Sequence, residues 1–311
     1  MMTDCRLCGR RCGVDRTRGP AGACHAPAEA RVFDLSIDWA GEASLAPCAI
    51  ASLSGCNMAC AFCIVAEGSQ NALHGAPFDP SAAAATINAQ APHIRSFSVL
   101  GGEPTIHLPS ALALASQVSA GIPFVWKTNA CASEDALPLI ADVADVVLAD
   151  FKFGGDDCAR RIASYPDYSH TVRANLRFWR DRGTPLIVRH LLMPGHIQCC
   201  LRPVVNWMAR ELPGVRLSLM TGYRPAHKAA GDPVIGRLPA SDEIARALTE
   251  AARAGVPLEP WRCDTPPAPA CGAGPADEVW IDAEGRVHAL AANEALAACL
   301  RNLQDEFRVG A

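Results

Sequence analysis

Cys56-Asn57-Met58-Ala59-Cys60-Ala61-Phe62-Cys63 places three thiols within eight residues, spaced Cys-x3-Cys-x2-Cys. So short a loop can turn all three sulfurs toward one point. Soft thiolates in that arrangement select zinc or an iron–sulfur cluster. A four-iron cube bound by three cysteines keeps one iron open for chemistry, whereas a closed four-thiolate site stores electrons or holds structure. A zinc loop with a remote fourth ligand is the alternative that the triad alone leaves standing.

Outward from this loop the pattern repeats as strand, loop, helix. Ala49 to Leu53 lead into the cysteines, and Ser96–Leu100, Phe124–Thr128, Val146–Leu148, Leu186–Leu192 and Val215–Met220 read as further strands. Between them come helical stretches. Asp79-Pro80 opens one as cap and first turn, Ser133 is expected to cap another, and others fall near 109–120, 156–182 and 201–211. Ser241 is expected to cap a last helix whose Ile244, Ala247, Leu248, Ala251 and Ala252 share a face. Alternation of this kind predicts a parallel α/β sheet with right-handed crossovers, either doubly wound or a partial barrel. Arg31 to Trp39 alternate apolar and polar, a half-buried strand bridging into that sheet.

Chemistry-bearing residues fall where such strands end, which is where parallel α/β folds bind ligands. Gly101-Gly102-Glu103-Pro104 follows the second strand, and its glycines allow close backbone approach. Asp150 and Lys152 are two residues apart at the end of the fourth strand and so face one side. Asn129 ends the third, while Arg189, His190 and Tyr223-Arg224 close the fifth and sixth. Of Arg189 and His190, one is expected to be inward and paired and the other packed.

Together these residues resemble the radical S-adenosylmethionine (SAM) superfamily. The triad with an aromatic before its last cysteine, followed some 40 residues later by Gly-Gly-Glu-Pro, is the main likeness. Val125 to Ala130, Asp150 to Gly154, Val188 to Gly195 and Ser218 to Pro225 narrow it to a branch similar to pyruvate formate-lyase activating enzyme. The likeness runs from about residue 5 to 255. It implies a partial (β/α)6 TIM-like barrel, a [4Fe–4S] cluster on Cys56, Cys60 and Cys63, and SAM chelating the open iron. One electron then cleaves SAM to a 5′-deoxyadenosyl radical that abstracts hydrogen. Gly101, Gly102, Glu103, Asn129, Asp150 and Lys152 are implied to hold SAM. A protein or peptide substrate is implied, with a glycyl-radical enzyme one form of it. Another peptide or small-molecule modification is the alternative. A low-potential donor such as flavodoxin or ferredoxin is implied as partner. Where activating enzymes carry a polar pair after the third cysteine, this chain has Ile64-Val65. That polar contact to SAM is therefore absent or comes from Glu67, Ser69 or Gln70. A non-catalytic electron carrier or metal-bound scaffold would need neither the Gly-Gly-Glu-Pro loop nor the inward Asp/Lys pair.

Composition bounds the rest. The 311 residues, half of them hydrophobic, suffice for one large barrel with small appendages. The net charge of −4 and the absence of a long basic block argue against nucleic acid, and no membrane span or signal peptide is read. Fifteen cysteines in a long chain without an export signal suggest metal ligands in the reducing cytoplasm. Residues 1–30 carry Cys5, Cys8, Cys12 and Cys24 among Arg, Gly and Pro, a polar element that a metal or a neighbouring surface must hold; four thiols fit zinc or an auxiliary [4Fe–4S] cluster, with no metal as the third alternative. Residues 31–255 read as the barrel. Residues 256–311 are a Pro-rich extension with Cys263, Cys271 and a hairpin near 278–288. That extension is similar to auxiliary-cluster domains of peptide-modifying radical SAM enzymes, with Leu290 where another cysteine would stand. Cys48, Cys131, Cys158, Cys199, Cys200 and Cys299 have no cluster spacing and are expected to pack or stay free.

Overall fold

The computed structural model describes residues 1–262, 279–281 and 287–289. Cys263, Cys271, the turn at Glu284-Gly285, Leu290 and Cys299 lie outside the described residues. Strands are β1 (Arg31–Asp38), β2 (Gly41–Glu42), β3 (Cys48–Leu53), β4 (Ala76–Pro77), β5 (Ser96–Gly101), β6 (Phe124–Thr128), β7 (Val146–Asp150), β8 (Leu186–Leu191), β9 (Arg216–Met220), β10 (Trp261–Arg262), β11 (Val279–Ile281) and β12 (Val287–Ala289). Helices are α1 (Ala66–Ser69), α2 (Pro80–Ala89), α3 (Leu108–Ala115), α4 (Leu137–Ala141), α5 (Asp156–Ala163), α6 (Tyr168–Arg182), α7 (Arg202–Glu211) and α8 (Ser241–Arg253).

The main sheet is open and runs β4-β1-β3-β5-β6-β7-β8-β9. From β3 to β9 every pairing is parallel, which makes the six-stranded partial barrel that the resemblance implies and sets aside the doubly wound sheet that the alternation also allowed. β1 pairs antiparallel with β3 and with β4, at the sheet's edge. A second, antiparallel sheet runs β12-β11-β10-β2 and contains the expected C-terminal hairpin.

Strand alternation assigns each residue a side. Ala49, Ala51, Phe97, Val99, Trp126, Val147, Ala149, Val188 and Leu217 face the helices in the main core, beside Ile87, Leu114, Leu176 and Val205. The intervening residues face inward. Leu45 plugs the floor of that inner side against Val125, Leu148 and Ile187.

Of the three helix caps expected, one holds. Asp79 accepts from the amides of Ser81 and Ala82 at the start of α2, a cap that contributes about 1 kcal/mol. Two caps differ from expectation. The Ser133 hydroxyl is buried without a partner, and α4 begins later, after Ala136. α8 is capped by the Glu243 carboxylate on the Ala240 amide rather than by Ser241. In α8, Ala247, Leu248 and Ala251 are buried, but Ala252 is exposed.

Candidate active site

The triad loop leaves the end of β3 and is pinned along its backbone. Ala59 and Ala61 donate to the carbonyls of Ala163 and Ile162 (3.0 and 2.8 Å), and Ala229 donates to Ala61 (2.8 Å). Phe62 is buried with its ring 6.0 Å from Tyr223 and 6.4 Å from Phe153, so the aromatic before the last cysteine anchors the loop. Donors converge on the sulfurs. The Met58 amide lies 3.4 Å and Asn129 Nδ2 3.8 Å from Cys56 Sγ, and Ser69 Oγ lies 2.9 Å from Cys63 Sγ. Burial pushes the Cys60 thiol up to about 12 against the pull of Lys152, and raises Cys56 well above its usual value. The Cys56 and Cys60 thiols therefore keep their protons until a cation takes their place. Three soft donors in one fixed loop, with N–H and O–H groups ready to stabilise thiolate charge, fit an iron–sulfur cluster.

Gly101 and Gly102 bring the next loop flush against the triad. Gly101 has φ +114, and a Cβ there would sit 2.3 Å from the Leu53 carbonyl oxygen. A Cβ on Gly102 would sit 1.7 Å from the Gly55 carbonyl oxygen, so only glycine fits. Glu103, 1% exposed, turns its carboxylate inward. Oε1 accepts from the Thr105 amide (3.1 Å) and hydroxyl (2.5 Å) and from Thr128 Oγ1 (2.7 Å), and Oε2 from the Asn129 amide (2.8 Å). Burial pushes its carboxyl up while these donors oppose. Its carboxylate thus ties the glycine loop to the end of β6.

Asn129 Nδ2 reaches Asn57 Oδ1 at 2.6 Å, which links β6 to the triad loop. Asp150 and Lys152 are ion-paired with each other on the inner side. Burial would raise the Asp150 carboxyl, but Lys152 and Arg189 together hold it below its usual range. Burial likewise opposes the Lys152 charge, and Asp150 outweighs it, so the amine is raised. Arg189 is inward, 3.1 Å from Glu42 and 3.8 Å from Asp150. His190 packs outward, its Nδ1 2.7 Å from the Phe151 carbonyl, and burial pushes it down to about 4. Tyr223 donates to the Ile235 carbonyl at 2.7 Å. A cavity of about 220 Å3 occupies the inner side, bordered by Ile50, Ser98, Leu100, Lys127, Arg189 and Glu42 among others.

The sequence profile of the radical SAM superfamily matches residues 50–208, from β3 into α7. The chain belongs to the radical SAM superfamily. An uncharacterized protein of Methanocaldococcus jannaschii is 30% identical over 261 residues, which is 82% of this chain and 76% of that protein. SuiB of Streptococcus suis, in a structure bound to precursor peptide SuiA, has a similar fold at a TM-score of 0.51 and 14% identity. That match covers 66% of this chain and 45% of SuiB, so the chain spans under half the length of that protein. A domain of pyruvate-formate lyase-activating enzyme from Bacteroides vulgatus matches with a TM-score of 0.43 and 16% identity, over 52% of this chain and 95% of that domain.

This radical SAM enzyme carries its N-terminal cysteines against the same loop. Cys5, Cys8, Cys12 and Cys24 line one small cavity with Arg16 and Ile106. Arg16, 1% exposed, donates to the carbonyls of Ala26 (2.9 Å), Pro27 (2.7 Å) and Ile106 (2.5 Å). Arg10 donates to the Asn57 carbonyl at 3.2 Å and stacks 4.4 Å over the Tyr165 ring. Of the three substitutes for a polar contact after Cys63, Ser69 lies on the Cys63 sulfur, Gln70 donates to the Met58 carbonyl, and Glu67 reaches toward His74 at 3.8 Å. Sequence reasoning missed Glu42 and Lys127. The alternation of β6 could have found Lys127, which shares the side of Val125. No helix among the described residues is long and apolar enough to cross a membrane.

Proposed function

We propose that this enzyme cleaves SAM reductively and abstracts hydrogen from a protein or peptide substrate. The observation that carries the substrate class is the rim after the third cysteine. Ile64 is 78% and Val65 39% exposed, an apolar lip where the resemblance expects a polar contact. Exposed apolar side chains beside a radical centre suit a polypeptide laid across the mouth. The cavity on the inner side of the sheet, about 220 Å3, has room for a side chain rather than a folded domain. SuiB, whose structure holds a precursor peptide, supports the same reading by fold.

When bound, the [4Fe–4S] cluster and SAM supply one-electron cleavage of the sulfonium and hence a hydrogen-abstracting radical. The chain's part is to bind, orient and exclude water. Cys56, Cys60 and Cys63 hold the cluster, and Ser69, Met58 and Asn129 stabilise the thiolate charge. Lys152, aimed by Asp150, takes the SAM carboxylate. Backbone groups at Gly101 and Gly102, with the Glu103 carboxylate, would take the ammonium. Leu100, Ile50, Val125 and Leu148 give the inner side its apolar wall.

The remaining assignments complete the proposal. Residues 1–30 form a metal-holding element, 31–255 the catalytic barrel and 256–311 an extension. Iron and zinc analysis of the Cys56→Ala/Cys60→Ala/Cys63→Ala variant, set against the same variant carrying Cys8→Ser, reads whether an ion or a cluster fills the N-terminal site. Thiols this numerous belong in the reducing cytoplasm.

The test is anaerobic 5′-deoxyadenosine formation with a low-potential reductant. Stimulation by a host polypeptide fraction, lost after protease digestion, is expected. Ile64→Asp should abolish that stimulation while basal SAM cleavage persists. Stimulation by the metabolite fraction, insensitive to protease, would refute the substrate class. A persistent glycyl radical signal on the modified protein would specify activase chemistry.

A further inference from the structure

Away from the triad and the N-terminal quartet, two further thiols and an imidazole converge. Cys158 sits in the first turn of α5, and His196 and Cys199 lie just after β8. Among the described residues, the Cys158, His196 and Cys199 ligand atoms all lie within 4.8 Å of one another. The segment Ile197–Leu201 is wound as a π-helix, a rare local form that is often found at functional sites. Gly154 lets it approach: a Cβ there would sit 2.4 Å from the Cys199 carbonyl oxygen.

The imidazole is set for a ligand role. His196 is 3% exposed, and its Nδ1 lies 2.8 Å from the Pro194 carbonyl. A carbonyl only accepts, so Nδ1 carries the proton and Nε2 carries the lone pair. A carbonyl holding the far ring nitrogen in this way fixes the tautomer and orientation of metal-binding histidines. Nε2 currently accepts from Arg161 Nη2 at 3.0 Å. Arg161 is half exposed and also pairs with Asp232 at 3.4 Å, so it has a place to go when a cation arrives. Cys199 is exposed and Cys158 half-buried, which leaves the group open to solvent. Cys200 is buried behind them.

We propose that Cys158, Cys199 and His196 form a binding site for a soft divalent cation of the zinc class. Two thiolates and one neutral imidazole give three protein ligands and leave a fourth, solvent-facing position. Binding exchanges two thiol protons, released to water, for one dication, so the ligated site is neutral. No oxidant is consumed. A disulfide between Cys158 and Cys199 is the competing chemistry, but it would make no use of the oriented histidine.

The test uses the full-length protein carrying its reconstituted cluster, titrated anaerobically with Co2+ as a spectroscopic stand-in for zinc and checked by metal analysis. Cys158→Ala and Cys199→Ala should each lower bound zinc or cobalt by about one equivalent, with the cobalt–thiolate band reduced to match. Iron content should not change, and unchanged iron also reports that the barrel has folded. Arg161→Gln, which removes the competing cation and no ligand, should bind Co2+ tighter by up to about fivefold. Unchanged cobalt stoichiometry in both cysteine variants would overturn the site. So would a Cys158–Cys199 disulfide as the stable form of protein handled under reducing conditions.

Discussion

Lys152→Met tests the SAM assignment most directly. Lys152 and Asp150 are about four-fifths buried, 19% and 22% exposed at their side chains, so solvent screens them only in part. A hydrogen bond to a charged group is worth about 1.5–3 kcal/mol net. Asp150 would not be left isolated by the substitution, because Arg189 remains 3.8 Å away. Most of the loss should therefore fall on SAM, a weakening of about 1–3 kcal/mol, or about 5- to 150-fold in Kd. Equilibrium dialysis of SAM against anaerobically reconstituted protein measures it, with iron content as the control for an intact cluster. Asp150→Asn should cost less, since Lys152 keeps its charge. The sign of the pH dependence follows from Asp150, whose folded pKa is lowered. The pair's stability is fully present above the ordinary carboxylate value and is lost as pH falls through the lower folded value. SAM affinity should therefore be flat from about pH 6 to 8 as far as this pair is concerned. Wild-type affinity in Lys152→Met, at equal iron, would return both residues to an ordinary strand-end pair.

Ser69→Ala removes a donor 2.9 Å from Cys63, and the cluster should become harder to reduce by about 20–60 mV, one hydrogen bond expressed in one-electron terms. Redox titration monitored by paramagnetic resonance reads this, and an unchanged or higher potential would contradict it. Arg16→Met strands three carbonyls that the guanidinium satisfies, and should loosen residues 1–30 by about 3–6 kcal/mol. Limited proteolysis and amide exchange should show that loosening, and wild-type protection there would refute it. Glu103→Gln turns a donor or a weaker acceptor toward groups that donate to the carboxylate, and should lower stability by about 2–4 kcal/mol in denaturant unfolding. A loss below about 1 kcal/mol would mean that the carboxylate does not tie the loops.

Much of this molecule can be read along the chain because its signals are local. The strand from Val146 to Asp150 is a nearly continuous apolar run, as strands covered on both faces are. The triad loop needs only the spacing of Cys56, Cys60 and Cys63. What stayed hidden depends on residues far apart in sequence. Glu42 lies in a two-residue strand with no periodicity, and its partners Arg189 and Ser218 arrive from β8 and β9. Glu103 can be recognised in its motif, but its bonds to Thr128 and Asn129 exist only once β5 and β6 lie side by side. Cys158 and Cys199 have no diagnostic spacing, because a crossover of helix and strand separates them. Ser133 has the right residue type for a cap, yet Ala136 takes the position and leaves the serine hydroxyl buried.

The floor of the barrel is made early in the chain and secured late. Residues 42–46, which include the plug Leu45, are stitched to residues 259–262: β2 pairs with β10, the Ala43 amide donates to the Pro260 carbonyl, Ser44 Oγ reaches Glu259, and Arg262 reaches the Ala46 carbonyl. During synthesis the plug segment emerges long before its fastener does. A nascent chain halted after α8 would hold all three triad cysteines and the glycine loop, yet have an unsealed base. Contacts of such long sequence separation form slowly, because loop closure must precede them. Sealing against solvent therefore waits for residues 259–262, and a stop codon just upstream of residue 259 would release a barrel with the cluster ligands present and the plug unfastened.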